Sequence, residues 1–190
     1  MDPLRSLQHL SGDLLVFARI ETAKGPIEKR MRFCAQVPRV EFDISFDWTD
    51  WSKGVLRLGH FTLLPQAFDA AALRLITCNG GGPEQFTLAG QPIDHGAPVS
   101  FLVSSSHGLG LSEGWAEIGD GKTDLRLEID RATAPLLGLL THRVAKDSRG
   151  GDSIFCQLTL SALELDDTRK PAPYREGPRR FRFSIQAGPV

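Results

Sequence analysis

The chain has 190 residues, 41% hydrophobic and 24% charged, the composition of a folded domain with room for one sizeable core. Its formal net charge is -1, with no basic stripe, which argues against a nucleic-acid surface built on phosphate neutralisation. No apolar run approaches a membrane span, and the opening residues lack the regions of a signal peptide, so the expected setting is the cytoplasm with no membrane partner.

Met1 to Gly12 has little pattern and reads as a loose lead-in. Asp13 to Glu21 and Glu28 to Gln36 read as two strands joined by a turn at Lys24-Gly25-Pro26, a hairpin. Pro38 then breaks the pattern. From Arg39 to Trp51 the sequence R-V-E-F-D-I-S-F-D-W-T-D-W alternates strictly. Val40, Phe42, Ile44 and Phe46 fall on one side of a strand, and Glu41, Asp43, Ser45 and Asp47 on the other. This is the clearest signal in the chain, and it predicts a half-buried antiparallel strand.

Ser52-Lys53-Gly54 predicts a turn, and Val55 to Leu63 another strand, in which Gly59 suggests a bulge or a close backbone approach. Pro65 to Ala72 has room for one helical turn. Leu73 to Thr77 and Glu84 to Leu88 are short strands on either side of Asn79-Gly80-Gly81-Gly82-Pro83, a loop. Pro98 to Ser105 reads as an apolar strand and Ser104 to Gly110 as a small-residue loop. Trp115 to Ile118 and Asp124 to Asp130 are strands about a tight turn at Asp120-Gly121. Leu136 to Val144 fits strand or helix. Ile154 to Leu165 alternates again, Asp166 to Pro178 is a long polar loop, and Arg179 to Gln186 closes the chain.

About a dozen short strands and no long helix predict an all-β, two-layer antiparallel β-sandwich. No domain boundary interrupts it, so residues 1–190 read as one sandwich. Cys34, Cys78 and Cys156 are odd in number and form no C-x-x-C pair, which points to neither zinc nor disulfides; Cys34 and Cys156 read as buried core thiols. No metal and no cofactor are expected.

Chemistry is less marked. The glycine-rich loop at Asn79 matches neither phosphate-binding pattern and opens no helix. His60, His95, His107 and His142 lack metal spacing. Glu84, Glu113, Glu117 and Asp120 sit in or beside loops, where a facing carboxylate pair could act on a glycosidic bond. The competing reading for each is a solvated face. Trp48, Trp51 and Trp115 could stack on sugar rings, against the commoner role of a tryptophan near a strand end, which is core packing.

The succession N-G-G-G-P-E-Q-F, I-D-H-G and S-F-L-V-S-S-S-H-G-L-G-L-S-E-G-W-A-E-I-G-D between Asn79 and Asp130 carries a resemblance. It resembles the carbohydrate-associated β-sandwich of alpha-mannosidase-like glycoside hydrolases, a galactose mutarotase-like fold also called a supersandwich. E-F-D-I-S-F-D-W upstream and Q-L-T-L-S-A-L-E-L-D-D downstream fit the same picture. The resemblance implies a sandwich that binds sugar or supports a catalytic glycoside hydrolase domain, as an accessory or remnant of a larger protein. No stretch matches that family's separate metal-binding catalytic domain, so no catalytic residue transfers.

Three readings follow. The first is carbohydrate binding through Trp48, Trp51, Asn79, Glu84, His107 and Trp115. The second is a sugar-acting enzyme, an aldose epimerase or glycosidase, pairing Glu84, Glu113 or Glu117 with His95 or His107. The third is a structural sandwich that continues its sheet across a homo-oligomer interface.

Overall fold

The computed structural model describes residues 4–10, 12–49, 54–89, 108–146, 150–164 and 178–188. In chain order they form β1 (Leu4–Leu10), β2 (Asp13–Ile20), β3 (Ile27–Phe33), β4 (Arg39–Asp47), β5 (Leu56–Thr62), a 3-10 turn (Pro65–Ala67), β6 (Arg74–Thr77) and β7 (Glu84–Thr87). The second half adds β8 (Gly108–Leu111), β9 (Trp115–Gly119), β10 (Asp124–Ile129), β11 (Leu137–Lys146), β12 (Asp152–Leu163) and β13 (Pro178–Ala187). They build two antiparallel sheets. Nine strands run in the order β1-β2-β3-β4-β13-β10-β9-β6-β7, and four in the order β5-β12-β11-β8.

The alternation in β4 decides how the layers meet. Phe42, Ile44 and Phe46 are buried while Glu41, Asp43 and Ser45 are half-buried on the opposite face. β13 does the same, with Phe181 and Phe183 turned inward. From the smaller sheet Leu140, Ile154, Leu158 and Leu160 meet them in one core. The Phe42 ring stacks on Phe183 at 4.7 Å and meets Phe61 of β5 edge-on at 5.5 Å, so aromatic contacts join the layers. Each such side chain taken fully out of water contributes about 1.5–3 kcal/mol.

Several expectations hold in detail. Gly25 turns the β2–β3 hairpin at φ 119° and Gly121 the β9–β10 hairpin at φ 85°. Opposite Gly59 the β5–β12 register slips by one residue, and a Cβ on Gly59 would lie 3.0 Å from Phe61 and 3.1 Å from Leu160. Both the bulge and the close approach are present. The helical turn is the three residues Pro65–Ala67.

Three expectations change. The lead-in contains an edge strand, β1, paired with β2. The stretch read as a loop up to Gly110 contains part of β8, whose Leu109 and Leu111 are buried against β11 while its glycines leave the other face bare. Cys34 lies just past β3, half-buried, its N–H bonded to the Arg39 carbonyl at 3.0 Å, so it is not a core thiol. Cys156 is one: it is fully buried, and burial pushes its thiol up to about 11. The strand expected over Pro98 to Ser105 lies outside the described residues.

Candidate functional site

Period-two alternation gives the nine-stranded sheet a second face, turned away from the core. On β4 that face carries Glu41 and Asp43. The registers set their neighbours: Arg32 of β3 is opposite Glu41, and Arg30 is opposite Asp43. On the other side Ser184 of β13 is opposite Glu41, and Arg182 is opposite Asp43. One strand further, Glu128 of β10 is opposite Ser184, and Trp115 of β9 is opposite Glu128. Residues more than a hundred positions apart in sequence thus share one charged surface. It lines an open depression with a volume of about 700 Å³.

Guanidinium and carboxylate groups interlock across the depression. Asp43 accepts from Arg180 Nε at 2.7 Å and from Arg182 Nε at 3.2 Å. Partial burial pushes its carboxyl up, but the two guanidiniums outweigh this and hold it below the usual carboxylate range. Arg32 joins Asp13 at 2.6 Å to Glu41 at 3.4 Å. Arg39 lies 3.5 Å from Glu41 and 3.9 Å from Glu128, bridging two strands that flank β13. Arg126 binds both Glu117 and Glu128, and its guanidinium stands 5.1 Å from the centroid of Trp115. Such a surface offers fixed donors and acceptors for hydroxyl groups, with an aromatic face at one side.

Of the residues singled out by sequence, Trp115 and Glu113 line the depression, and Glu117 borders it through Arg126. Glu113 is paired with Arg131 at 2.7 Å. Trp48 is placed differently. It is 7% exposed, its ring packs on Phe46 at 4.5 Å, and its Nε1 donates to the Gly25 carbonyl at 3.2 Å. Its indole closes one end of the core and presents no face to a ligand.

Asn79 serves as a clamp: its Oδ1 accepts from both the N–H and the hydroxyl of Ser112. Glu84 is exposed on the edge strand β7. His60 is exposed on β5 and His142 buried on β11, both in the four-stranded sheet. Trp51, His95 and His107 lie outside the described residues. Among those described, no histidine lines the depression and no group of His, Cys, Asp and Glu could hold a metal ion.

The residues that dominate the site, Arg30, Arg39, Glu41, Asp43, Arg126, Glu128, Arg180 and Arg182, did not stand out in the sequence. Their signal was present: charged residues at every second position of four strands already recognised as strands. What period two cannot convey is that β13 and β4 are neighbours.

No protein-family model and no curated protein matches the chain. Solved structures do. A galactose mutarotase-like protein from Clostridium acetobutylicum superposes over 100% of this chain and 67% of its own, with a TM-score of 0.50 and 9% identity. The chain has the galactose mutarotase-like fold. A 4-alpha-glucanotransferase from Thermococcus litoralis matches over 94% of this chain and 18% of its own, at 10% identity and a TM-score of 0.19. At these identities the likeness to the Clostridium protein concerns the fold, a level at which an alpha-mannosidase-like sandwich is not told apart from other members of the architecture.

Proposed function

We propose that the chain binds carbohydrate on the outer face of the nine-stranded sheet, as an accessory sandwich related to glycoside hydrolases of the alpha-mannosidase-like kind. One observation carries the reading. An open cavity sets the half-buried indole of Trp115 beside interlocked guanidinium and carboxylate groups. Its volume of about 700 Å³ falls among those of small-molecule sites. A pyranose has C–H-rich faces that suit an indole and equatorial hydroxyls that both donate and accept. Glu41, Glu128 and Arg126 supply the complementary groups in a rigid array, because each is fixed by an ion pair on a strand rather than carried on a loop. The fold shared with a galactose mutarotase-like protein supports a sugar-related role.

Calorimetric titration with a panel of mono- and oligosaccharides tests the proposal. Saturable binding that Trp115→Ala weakens about tenfold is the expected result, the loss of one aromatic contact and its cation partner. Absence of binding to every member of the panel would overturn it. A polarimetric anomerisation assay on the same sugars separates a binding domain from an epimerase. No rate above buffer is expected, since no imidazole lines the cavity among the described residues.

A further inference from the structure

The charges in the depression are not evenly matched, and the imbalance has a location. Towards β9 and β10 each guanidinium is shared between carboxylates: Arg126 between Glu117 and Glu128, Arg39 between Glu41 and Glu128. Arg32 of β3 is shared in the same way between Asp13 and Glu41, but around Asp43 the pattern reverses. Here Asp43 takes the ion pairs of both Arg180 and Arg182. Arg30, opposite Asp43 on the adjoining strand, forms no ion pair among the described residues. Its guanidinium lies 5.1 Å from the Phe17 ring centroid instead.

Nearby carboxylates are committed elsewhere. Glu28 accepts from Arg19 at 2.8 Å. The Asp130 carboxylate accepts from the Thr133 hydroxyl and from the N–H groups of Ala132 and Thr133 of its own turn, and acts on Arg182 only through space. Arg30 and Arg182 flank β4, so their backbones stand about 10 Å apart, two strand spacings. Arginine side chains bridge that span easily. Arg30, Arg180 and Arg182 all line the depression, and Arg30 and Arg180 also line an adjoining hollow that holds Phe17.

A guanidinium presents its donors in a planar fork that fits two oxygens of one oxyanion. A charge excess in a depression walled by protein is also felt more strongly than one on an open surface. We propose that the ligand is an acidic saccharide, whose oxyanion is received by Arg30, Arg180 and Arg182 while the sugar ring lies towards Trp115. This rests on the carbohydrate reading above and narrows it to a substrate class, a sugar bearing a carboxylate or an ester oxyanion.

The test is calorimetric titration of the full chain with three probes: hexagalacturonate, a sulfated maltohexaose and unmodified maltohexaose, each at low and high salt. At least one acidic probe should bind tenfold or more tighter than maltohexaose, and its affinity should fall as salt rises. Which acidic probe binds tells carboxylate from ester. Arg30→Gln should remove most of that preference, about tenfold, bringing the acidic probe down towards maltohexaose. Arg30 is exposed and makes no ion pair among the described residues, so the variant is expected to fold. Arg143→Gln, the same charge change on the four-stranded sheet, should do nothing. Equal or tighter binding of maltohexaose overturns the acidic class while the carbohydrate reading stands. Full acidic affinity in Arg30→Gln overturns the arginine cradle. Failure of all three probes sinks both.

Discussion

The guanidinium of Arg126 stands 5.1 Å from the centroid of the Trp115 ring, on adjacent strands where Glu117 lies opposite the arginine and Glu128 opposite the tryptophan. The four side chains brace one another. Arg126 binds both carboxylates, so the cation beside the indole cannot swing away without breaking two ion pairs. Replacing Arg126 by Gln should release both. Being half-exposed, these pairs contribute little to stability, typically under about 1 kcal/mol each. Saccharide affinity should fall about tenfold with the melting temperature shifted by only a few degrees. Titration paired with a thermal melt checks this; a variant that binds as wild type would remove Arg126 from the site.

Trp48 provides the opposite case. Buried and stacked on Phe46, it belongs to the core. Trp48→Ala should cost about 3–5 kcal/mol in denaturant unfolding. Trp48→Phe, which keeps most of the ring contact and loses the bond to the Gly25 carbonyl, should cost about 1 kcal/mol. Neither should alter saccharide affinity once the protein is folded. Ligand-induced changes in tryptophan fluorescence should likewise survive Trp48→Phe and diminish in Trp115→Phe.

The difference between these two tryptophans marks how far sequence reading reaches. Both stand at strand ends, and both carry the same chemical promise. The layer that covers Trp48 comes from Gly25 in another hairpin, which no local pattern announces. The fold was legible because apolar alternation is a local property: Phe42, Ile44 and Phe46 declare their face without reference to any partner. β8 escaped notice because glycines at 108 and 110 signal a loop, while their bare face in fact accompanies two buried leucines. β1 escaped because an edge strand needs only one good partner and little alternation of its own. The site escaped for a third reason. Glu41, Arg126 and Arg182 each look like an ordinary solvated charge, and only the strand order β3-β4-β13-β10-β9 gathers them.

Packing in the smaller sheet gives a prediction independent of the site. A Cβ at Gly138 would fall 2.7 Å from Leu111 Cδ1 and 2.8 Å from its Cβ. Leu111 is fully buried and cannot retreat. Gly138→Ala should therefore force β8 and β11 apart, a cost of about 1–3 kcal/mol for overpacking. The denaturant midpoint should fall. Saccharide binding on the far sheet should persist below the transition, because Gly138 and the depression lie on opposite layers. Gly81→Ala is the control: among the described residues, its chain neighbours aside, no atom lies within 4 Å of its added Cβ, and stability should hardly move.

Asp120 links pH to stability. Its Oδ1 accepts from the N–H groups of Lys122 and Thr123, and its Oδ2 from that of Asp69 at 2.7 Å, tying the β9–β10 turn to the segment after the 3-10 turn. Backbone donors, Asp69 first, lower its carboxyl from 3.8 to about 2. A carboxylate depressed in the folded state binds its proton more weakly there than in the unfolded chain. Its stabilisation is complete above about 3.8 and is lost as pH falls through about 2. Asp120→Asn removes the titrating group and keeps one acceptor oxygen. The gap in melting temperature between wild type and variant should be largest at neutral pH, constant down to about pH 4, and shrink steadily towards pH 2. Melts at half-unit pH intervals measure it. A gap that stays level across that acid window would mean the three backbone bonds do not favour the ionised form.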